Sequence, residues 1–273
     1  MMRFLLTNDD GIAAPGLWAA ARTLAQLGSV LIVAPARNHS GFGPAHPPAS
    51  SVAFAPYPVE DSLADRVRAY ALEATPAACA HMGLAGAFGG RPIDLVVSGV
   101  NAGLNVGHDV LYSGTVGAAL TAHLLGWPAV AVSLDWWEQG EAHWETTAWA
   151  IHRAIAMWQR AADRTPVVLN VNVPNIPLAQ VGGARITTLG THSFLGRYRF
   201  VPDEETPHVI RALRREPLGS GQPPISNLWE DGAAVAHGFI SITPLRPFPD
   251  VLCVAPWAEA PEQAAVYSKT KGG

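Results

Sequence analysis

Two acidic side chains stand next to each other near the start of the chain, directly after an apolar run. Residues 7–11 read TNDDG and place Asp9 beside Asp10. A turn at the end of a strand can bring both carboxylates onto one site, where they repel each other unless a cation or a proton lies between them. Asn, Asp and Gly are also common turn residues, so an ordinary polar turn stays open as the alternative. The pair is the first candidate for a cation site.

A second polar segment follows the next apolar run. Residues 35–41, PARNHSG, open a loop rich in Pro and Gly that extends to about Ser51. Loops of that length inside compact domains are often functional. Ser40 offers a hydroxyl group, and Arg37 and His39 could contact an anion. For each of the three, a solvated loop residue is the alternative.

The third polar segment, residues 98–117, reads SGVNAGLNVGHDVLYSGTVG. Its glycines allow the backbone to approach a ligand closely. Asn101 and Asn105 offer amide oxygens to a metal and NH₂ groups to an oxyanion. Ser113-Gly114-Thr115 then opens a predicted helix, whose unpaired N–H groups and positive dipole end can bind an anion. An ordinary capped helix after a glycine-rich loop is the alternative, since the spacing is that of neither a P-loop nor a dinucleotide fingerprint.

Together the three segments offer oxygen ligands for a hard cation beside a site for an anion. Such ligands suit Mg²⁺, Mn²⁺ or Ca²⁺ better than zinc. A metal next to a phosphate polarises the phosphoryl group and activates a water, so phosphoester hydrolysis is the predicted reaction. A covalent aspartyl-phosphate route is less favoured, because that class spaces its two acids one residue apart, whereas here they are adjacent.

Four further side chains need a role. His108 is a candidate proton donor because imidazole titrates near neutrality, although a surface histidine is the preferred interpretation. Trp136 and Trp137 could stack on a base, but packing in the core or at a subunit interface is preferred. Cys79 is expected in the core, since no charged neighbour would activate its thiol.

The elements that position these segments are predicted from hydrophobic pattern. Five compact apolar runs without strict alternation are typical of strands buried on both faces of a parallel sheet. They are Arg3–Thr7, Val30–Ala34, Leu95–Ser98, Ala129–Ser133 and Val167–Val171. Helices are predicted from Pro15 to a stop at Gly28, over 76–87 and 114–126, and over Trp144–Trp158, where apolar residues recur every three or four positions. Strands alternating with helices predict a Rossmann-like, doubly wound, mostly parallel α/β sheet that binds ligands beyond the carboxyl ends of its strands.

The C-terminal third has a different character. Residues 196–213 are predicted to form two polar strands around the acidic turn PDEET, and Phe239–Thr243 a late strand that returns to the sheet. We expect one domain over 1–273, with a core of about 1–190 and 236–262 and a β-hairpin arm of about 191–235. The arm is expected to project and pack on another subunit. A hairpin lying on its own domain is the alternative.

Composition narrows the class of protein. The 273 residues are 49% hydrophobic and 15% charged, with a formal charge of −4. The apolar fraction excludes global disorder, and the acidic balance argues against broad binding to DNA or other nucleic acids. Two cysteines give no disulfide framework and no zinc cluster, so a reducing cytoplasm is expected. No apolar run is long enough for a membrane span, and acids within the first ten residues are unlike a signal peptide.

The motifs as a set resemble the SurE family of metal-dependent nucleoside 5′-monophosphate phosphatases. The resemblance rests on TNDDG followed by APG, on APARNHSG, on DLVVSGVNAGLNVGHDVLYSGTVGAA, and on LNVNVP at 169–174 and GFISITPL at 238–245. It implies a cation, Mg²⁺ or Mn²⁺, one per subunit. It also implies a hairpin exchanged between the subunits of a homodimer or homotetramer.

The resemblance assigns roles residue by residue. It implies a metal site made from Asp9, Asp10, Ser40 and Asn101. It places Asn105, Ser113, Gly114 and Thr115 around the substrate phosphate. Asp9, Asn105, Ser113 and Thr115 are accordingly the expected catalytic residues.

The expected activity is hydrolysis of nucleoside 5′-monophosphates to nucleoside and phosphate, with 3′-nucleotides and polyphosphate as further candidate substrates. Two departures from the family pattern bear on base preference and loop closure: Ala78, where the family has Asp, and the loop 42–50. They leave a nucleotide sensor without turnover as one alternative. An enzyme of nucleotide sugars or dinucleotides on the same fold is another, because fold does not fix function.

Overall fold

The structure is a computed structural model with a central mixed sheet. It describes residues 1–46, 51–90, 92–136, 140–160, 168–191, 198–203, 206, 208, 210–214 and 228–246. Nine strands form the main sheet in the order β3-β4-β2-β1-β5-β6-β7-β11-β8, and β9 and β10 form a separate pair. The strands are β1 Met2–Thr7, β2 Gly28–Pro35, β3 Phe54–Pro56, β4 Val67–Leu72, β5 Leu95–Ala102, β6 Ala129–Leu134, β7 Val168–Val173, β8 Ala184–Ile186, β9 Tyr198–Pro202, β10 Ile210–Arg214 and β11 Ile240–Leu245.

The chain winds outward from β1 in both directions. It passes from β1 through β2 to β4 on one side, then returns to β5 and continues through β6 to β7 on the other. All of these neighbours pair in parallel, while β3 and β11 pair antiparallel with β4 and β7. The order reverses between β1 and β5, and this is where open α/β sheets bind ligands. The α/β fold class predicted from the sequence is confirmed.

The described part of the chain contains five helices, four of which cover the two faces of the sheet. The five helices are α1 Pro15–Ala25, α2 Pro76–Leu84, α3 Gly114–Leu124, α4 Trp144–Arg160 and α5 Asp231–Ala236. Helices α1 and α4 pack on one face, where Leu17 and Ile151 meet Phe4 of β1 in one apolar cluster. Helices α2 and α3 cover the other face, where Cys79 and Val116 belong to a second cluster. Each of the five predicted strands is present. They could be recognised in the sequence because strands buried on both faces need continuous apolar runs.

The helices begin where predicted, but their ends differ by two or three residues, α2 ending at Leu84, α3 at Leu124 and α4 at Arg160. The predicted stop of the first helix is wrong for a specific reason. Helix α1 ends at Ala25, whereas Gly28 begins β2. A Cβ atom at Gly28 would lie 2.0 Å from the carbonyl oxygen of Met2. Glycine is thus needed there for close approach of two strands and not for stopping the helix. Val167, the predicted start of β7, lies outside the described residues.

Residues of the predicted hairpin arm form both strands of the separate pair. Strands β9 and β10 pair antiparallel, with Tyr198 opposite Arg214. Asp203 accepts hydrogen bonds from the Arg211 side chain and from the backbone of Thr206. Helix α5 also falls within the range predicted for the arm, yet it packs on the main body beside β11. Residues 204 and 205 of the turn and 247–262 of the predicted core lie outside the described residues.

Within the described ranges, no helix is both long and apolar enough to span a membrane.

Candidate active site

The polar segments that follow β1, β2 and β5 meet at the carboxyl edge of the sheet. Asp9 and Asp10 lie just beyond β1, Ser40 lies in the loop after β2, and Asn101 is the next-to-last residue of β5. The reversal of strand order between β1 and β5 brings the first and third segments side by side. The sheet topology therefore brings the residues that the family resemblance implies as metal ligands to one edge of the sheet.

Asp9 is held by the first turn of α3. Its side chain is almost fully buried, with 2% of the residue exposed. The Thr115 backbone N–H donates to Asp9 Oδ2 at 3.1 Å, and the Thr115 hydroxyl donates to Oδ1. A Cβ atom at Gly114 would lie 2.7 Å from the Asp9 Cβ, so only glycine admits this approach. Asp9 and the start of α3 form one unit although about a hundred residues separate them.

Burial of the Asp9 carboxyl disfavours its ionised form. Desolvation raises the pKa of its carboxyl above the ordinary value, and the hydrogen bonds from Thr115 and the backbone oppose that shift without cancelling it. The hydrogen bonds from the chain thus offset only part of the desolvation cost of an ionised Asp9. A cation beside it would favour the ionised form.

Asp10 joins the other two segments. The Ser40 hydroxyl donates to Asp10 Oδ1 at 3.2 Å, and the Ala102 backbone N–H donates to Asp10 Oδ2 at 3.1 Å. The neighbouring Asn101 donates its amide NH₂ to the Gly103 carbonyl at 2.7 Å, so the amide oxygen is the atom of that side chain left to bind a ligand. Asp10 thus contacts Ser40 and the backbone of the residue that follows Asn101, while the metal-binding role of the three residues stays a prediction.

The loop after β2 is fixed to the TNDDG turn by its backbone. The His39 N–H donates to the Asp9 carbonyl at 2.7 Å, and the Ser40 N–H donates to the Asn38 side chain at 2.7 Å. Gly11 adopts a φ of +98°, and a Cβ there would lie 3.0 Å from the backbone carbonyl carbon of Arg37. Ser40 is therefore held beside Asp10 even though its side chain is exposed to solvent.

Arg37, a candidate anion contact, has an acidic partner on the surface. Its guanidinium pairs with Glu73 at 2.6 Å on the surface, and the Arg37 side chain is 74% exposed. The ring of His39 lies against Phe42 and forms a hydrogen bond with the Arg37 carbonyl. Both side chains therefore already have partners within the protein.

The loop after Gly41, whose sequence departs from the family pattern, lies against α3 and the residues before it. The Gly43 N–H donates to the Tyr112 carbonyl at 3.0 Å, and a Cβ at Gly117 would lie 2.7 Å from the Cα of Pro44. The part of this loop up to His46 therefore contacts the segment that carries Ser113. Residues 47–50 lie outside the described residues.

The start of α3 is partly occupied by the chain's own acceptors. Ser113 caps the helix, since its hydroxyl accepts from the Val116 N–H at 3.0 Å. The Thr115 N–H is taken by Asp9, and the backbone at Gly114 also favours ionisation of that carboxyl. The predicted anion site thus already holds one carboxylate, which the sequence alone did not reveal.

Asn105 is buried beyond β5 and is held by residues to which sequence reasoning gave no role. These residues are Ser133 on β6 and Asn170 and Asn172 on β7. The signal was present in LNVNVP, where two polar residues two positions apart share one face of a strand that is otherwise apolar. Such a pair indicates a polar cluster on that face, a role that the family resemblance does not assign.

The surroundings of His108, Trp136 and Cys79 agree with the non-catalytic interpretations preferred for them. His108 is exposed, as preferred. The Trp136 ring packs edge-on against Trp144, with centroids 5.3 Å apart, and its indole N–H donates to the Gly140 carbonyl. Burial raises the pKa of the Cys79 thiol, so this cysteine is an unreactive core residue. Trp137 lies outside the described residues.

The donor atoms at this edge fit a hard divalent cation. Two carboxylates, one hydroxyl and one amide oxygen form an all-oxygen set of the kind that Mg²⁺ and Mn²⁺ prefer. No three His, Cys, Asp or Glu side chains among the described residues lie close enough to hold a metal by themselves. A cation at this edge would therefore need the oxygens of Ser40 and Asn101 as well as those of Asp9 and Asp10.

Comparisons with known proteins found relatives that match most of the chain. The family profile described as "Survival protein SurE" matches residues 4–195. The chain is 38% identical over 245 residues to a protein of Edwardsiella ictaluri named "5'/3'-nucleotidase SurE", covering 90% of each chain. It is 37% identical over 254 residues to a protein of the same name from Yersinia pseudotuberculosis, again covering 90% of each. The fold matches the crystal structure of the SurE protein from Aquifex aeolicus with a TM-score of 0.74 and 28% identity, covering 94% of this chain and 98% of that one.

Proposed function

Because this chain belongs to the SurE family, we propose that it is a metal-dependent phosphomonoesterase that hydrolyses nucleoside monophosphates to nucleoside and phosphate. The observation that carries the proposal is the junction of three turns at the point where strand order reverses. There Asp9 is bound to α3, and Asp10 is bound to Ser40 and to the backbone beside Asn101. The names of the relatives specify both 5′- and 3′-nucleotides, and we extend that substrate range to this chain. Polyphosphate is a further candidate substrate.

Four residues are proposed to hold one Mg²⁺ or Mn²⁺ ion: Asp9, Asp10, Ser40 and Asn101. Such an ion supplies Lewis-acid stabilisation of phosphoryl charge and makes a water available as nucleophile near neutral pH. Thr115 orients Asp9 through two hydrogen bonds, and Ser40 and Ala102 orient Asp10. The chain thus fixes both carboxylates before any ligand arrives, which lowers the cost of forming the site.

The substrate phosphate is proposed to bind between Asn105 and the start of α3. Asn105 offers its side-chain amide, and Ser113, Gly114 and Thr115 offer the dipole end of the helix. Donors fixed before the reaction stabilise the charge that develops on the equatorial phosphate oxygens. Because Thr115 already binds Asp9, its proposed role is to couple the carboxylate to the phosphate site.

Attack by water is favoured over a covalent aspartyl-phosphate. Both carboxylate oxygens of Asp9 accept hydrogen bonds from Thr115, and Asp9 is only 2% exposed. A nucleophile needs an oxygen that can approach phosphorus in line, and the geometry of Asp9 leaves little room for that approach.

Phosphate release from AMP and 3′-AMP, measured with Mg²⁺, with Mn²⁺ and with EDTA, tests the proposal. Release in the presence of either cation that stops with EDTA supports it. The loop 42–50 motivates a second candidate, a nucleotide-binding sensor without turnover. Nucleotide binding without phosphate release under any of these conditions would favour the sensor and contradict the enzyme.

The hairpin of β9 and β10 is proposed as an arm that is exchanged between subunits of a homodimer or homotetramer. The support is that these strands share no ladder with the main sheet in the described part of the chain. An isolated two-stranded hairpin is only marginally stable in water, so a second surface is needed to hold it. The domain boundaries given above and the cytoplasmic location remain predictions.

A further inference from the structure

We propose that Asn172, together with Asn170 and Ser133, is a positioning residue that fixes Asn105 for phosphate binding. The proposal rests on the proposed function, because it concerns the same site. These three residues, called the asparagine clamp below, contact Asn105 through both its backbone and its side chain.

The backbone contact is a paired one. The Asn105 N–H donates to Asn172 Oδ1 at 2.8 Å, and Asn172 Nδ2 donates back to the Asn105 carbonyl at 3.0 Å. A side-chain amide that faces both groups of one residue has its oxygen and nitrogen positions determined by the partners. Asn170 Nδ2 adds a second donor to the same carbonyl at 2.8 Å. The main chain of Asn105 therefore has one allowed placement over β7.

The side chain of Asn105 is held as well as its backbone. Asn105 Nδ2 lies 2.8 Å from Ser133 Oγ. Ser133 lies opposite Asn172 in the register between β6 and β7, so both residues belong to one face of the sheet. Asn105 Nδ2 is the donor in this contact, so its second N–H and its amide oxygen are the atoms that remain for a ligand. This contact sets the direction in which Asn105 presents its remaining amide atoms.

Burying the three polar side chains of the clamp costs folding free energy. Ser133, Asn170 and Asn172 are all 0% exposed, and the same face carries apolar Val96 and Val168 nearer the amino ends of the strands. Buried polar groups reduce stability unless they are hydrogen-bonded, so an apolar residue would be the cheaper filling for a sheet. Supporting contacts of this kind typically change activity by one to two orders of magnitude when lost. We therefore assign the clamp to orientation of Asn105 and not to the core.

The variant Asn172→Asp tests the clamp with minimal change of shape. It keeps an acceptor for the Asn105 N–H but places an oxygen against the Asn105 carbonyl. The expected result is a kcat lower by about 10- to 100-fold, by analogy with supporting residues at metal sites. The rise in melting temperature caused by Mn²⁺ should be retained, because no proposed metal ligand is altered.

Asn175→Asp is the matched control. Asn175 also accepts from a backbone N–H (His143, 2.9 Å) and donates to a carbonyl (Glu141, 2.9 Å), but it holds the start of α4 and not Asn105. It should retain the wild-type kcat. Ser133→Ala removes only the side-chain contact and keeps the test informative if Asn172→Asp does not fold. It should also lower kcat while leaving the Mn²⁺ response unchanged.

The outcomes separate this inference from the proposed function. Wild-type kcat in both Asn172→Asp and Ser133→Ala would overturn the clamp and leave the phosphatase intact. An equal loss in Asn175→Asp, or loss of the Mn²⁺ response together with kcat, would show a general structural effect and also overturn it. A wild-type protein that releases no phosphate would overturn the proposed function and the role of the clamp with it.

Discussion

Replacing Asp9 by Asn should remove a proposed cation ligand without weakening the fold. The amide has the shape of the carboxylate, and its oxygen can still accept from the Thr115 N–H. Its NH₂ group can donate to the Thr115 hydroxyl, which accepts as readily as it donates. Since burial raises the pKa of Asp9, the neutral amide removes a desolvation cost. The metal-free variant should therefore unfold at the same temperature as the metal-free wild type, or higher.

The sign of the pH dependence follows from the same shift. The folded-state pKa of Asp9 is raised above its ordinary value of 3.8, so the metal-free wild type loses stability as the pH rises from that value through the folded-state pKa. The Asn variant has no such titration. Its advantage in melting temperature without metal should grow between acidic and neutral pH.

The size of the cation effect can be worked out. A ligand at one hundred times its Kd stabilises the folded state by about 2.7 kcal/mol. With an unfolding entropy of about 2.1 cal/mol/K per residue over 273 residues, that corresponds to a rise in Tm of about 5 °C. Wild-type protein should show this rise with Mn²⁺ after treatment with EDTA, and Asp9→Asn should show almost none.

Differential scanning fluorimetry with and without Mn²⁺ measures both effects. Asp65→Asn, which removes a carboxylate from an exposed position, is the control and should respond like wild type. A full cation response in Asp9→Asn would refute the role of Asp9 as a ligand. A metal-free variant that melts well below wild type would refute the reasoning about burial.

Three further changes test other contacts. Gly114→Ala should abolish the Mn²⁺ response, because its Cβ would lie 2.7 Å from that of Asp9. Gly232→Ala, where the nearest atom is 3.6 Å away, should keep the response, and equal responses would contradict this reasoning. Thr115→Ala should lower the free energy of unfolding in urea by about 1–3 kcal/mol by removing a donor to a buried carboxylate, whereas Thr115→Ser should not. Deletion of residues 196–213 should change the sedimentation coefficient beyond the loss of mass, and an unchanged assembly would contradict the exchanged arm.

Much of the fold follows from local pattern. The five strands buried on both faces could be predicted because each needs a continuous apolar run. Strand β4 was missed because the exposed Arg68 interrupts its apolar run, VRAYAL, and because the strand lies next to the edge strand β3. Helix α5 is six residues long and has no periodic signal of its own. Both are stabilised by contacts that are distant in sequence, which local patterns do not contain.

The site was predictable in position more than in detail. The rule that ligands bind beyond the carboxyl ends of strands brings Asp10, Ser40 and Asn101 to one edge. It does not predict that Asp9 occupies the start of α3, because Thr115 is more than one hundred residues away. The pairing of Arg37 with Glu73 was likewise invisible in the sequence, since the partner lies on another strand end.

A crystal structure with Mn²⁺ and a phosphate mimic tests the central claim most directly. We expect one peak of anomalous scattering, with oxygens of Asp9, Asp10, Ser40 and Asn101 at coordination distance and the mimic against Asn105 and Gly114. A manganese ion bound elsewhere, with Ser40 still bonded to Asp10 and no ion beside Asp9, would contradict it.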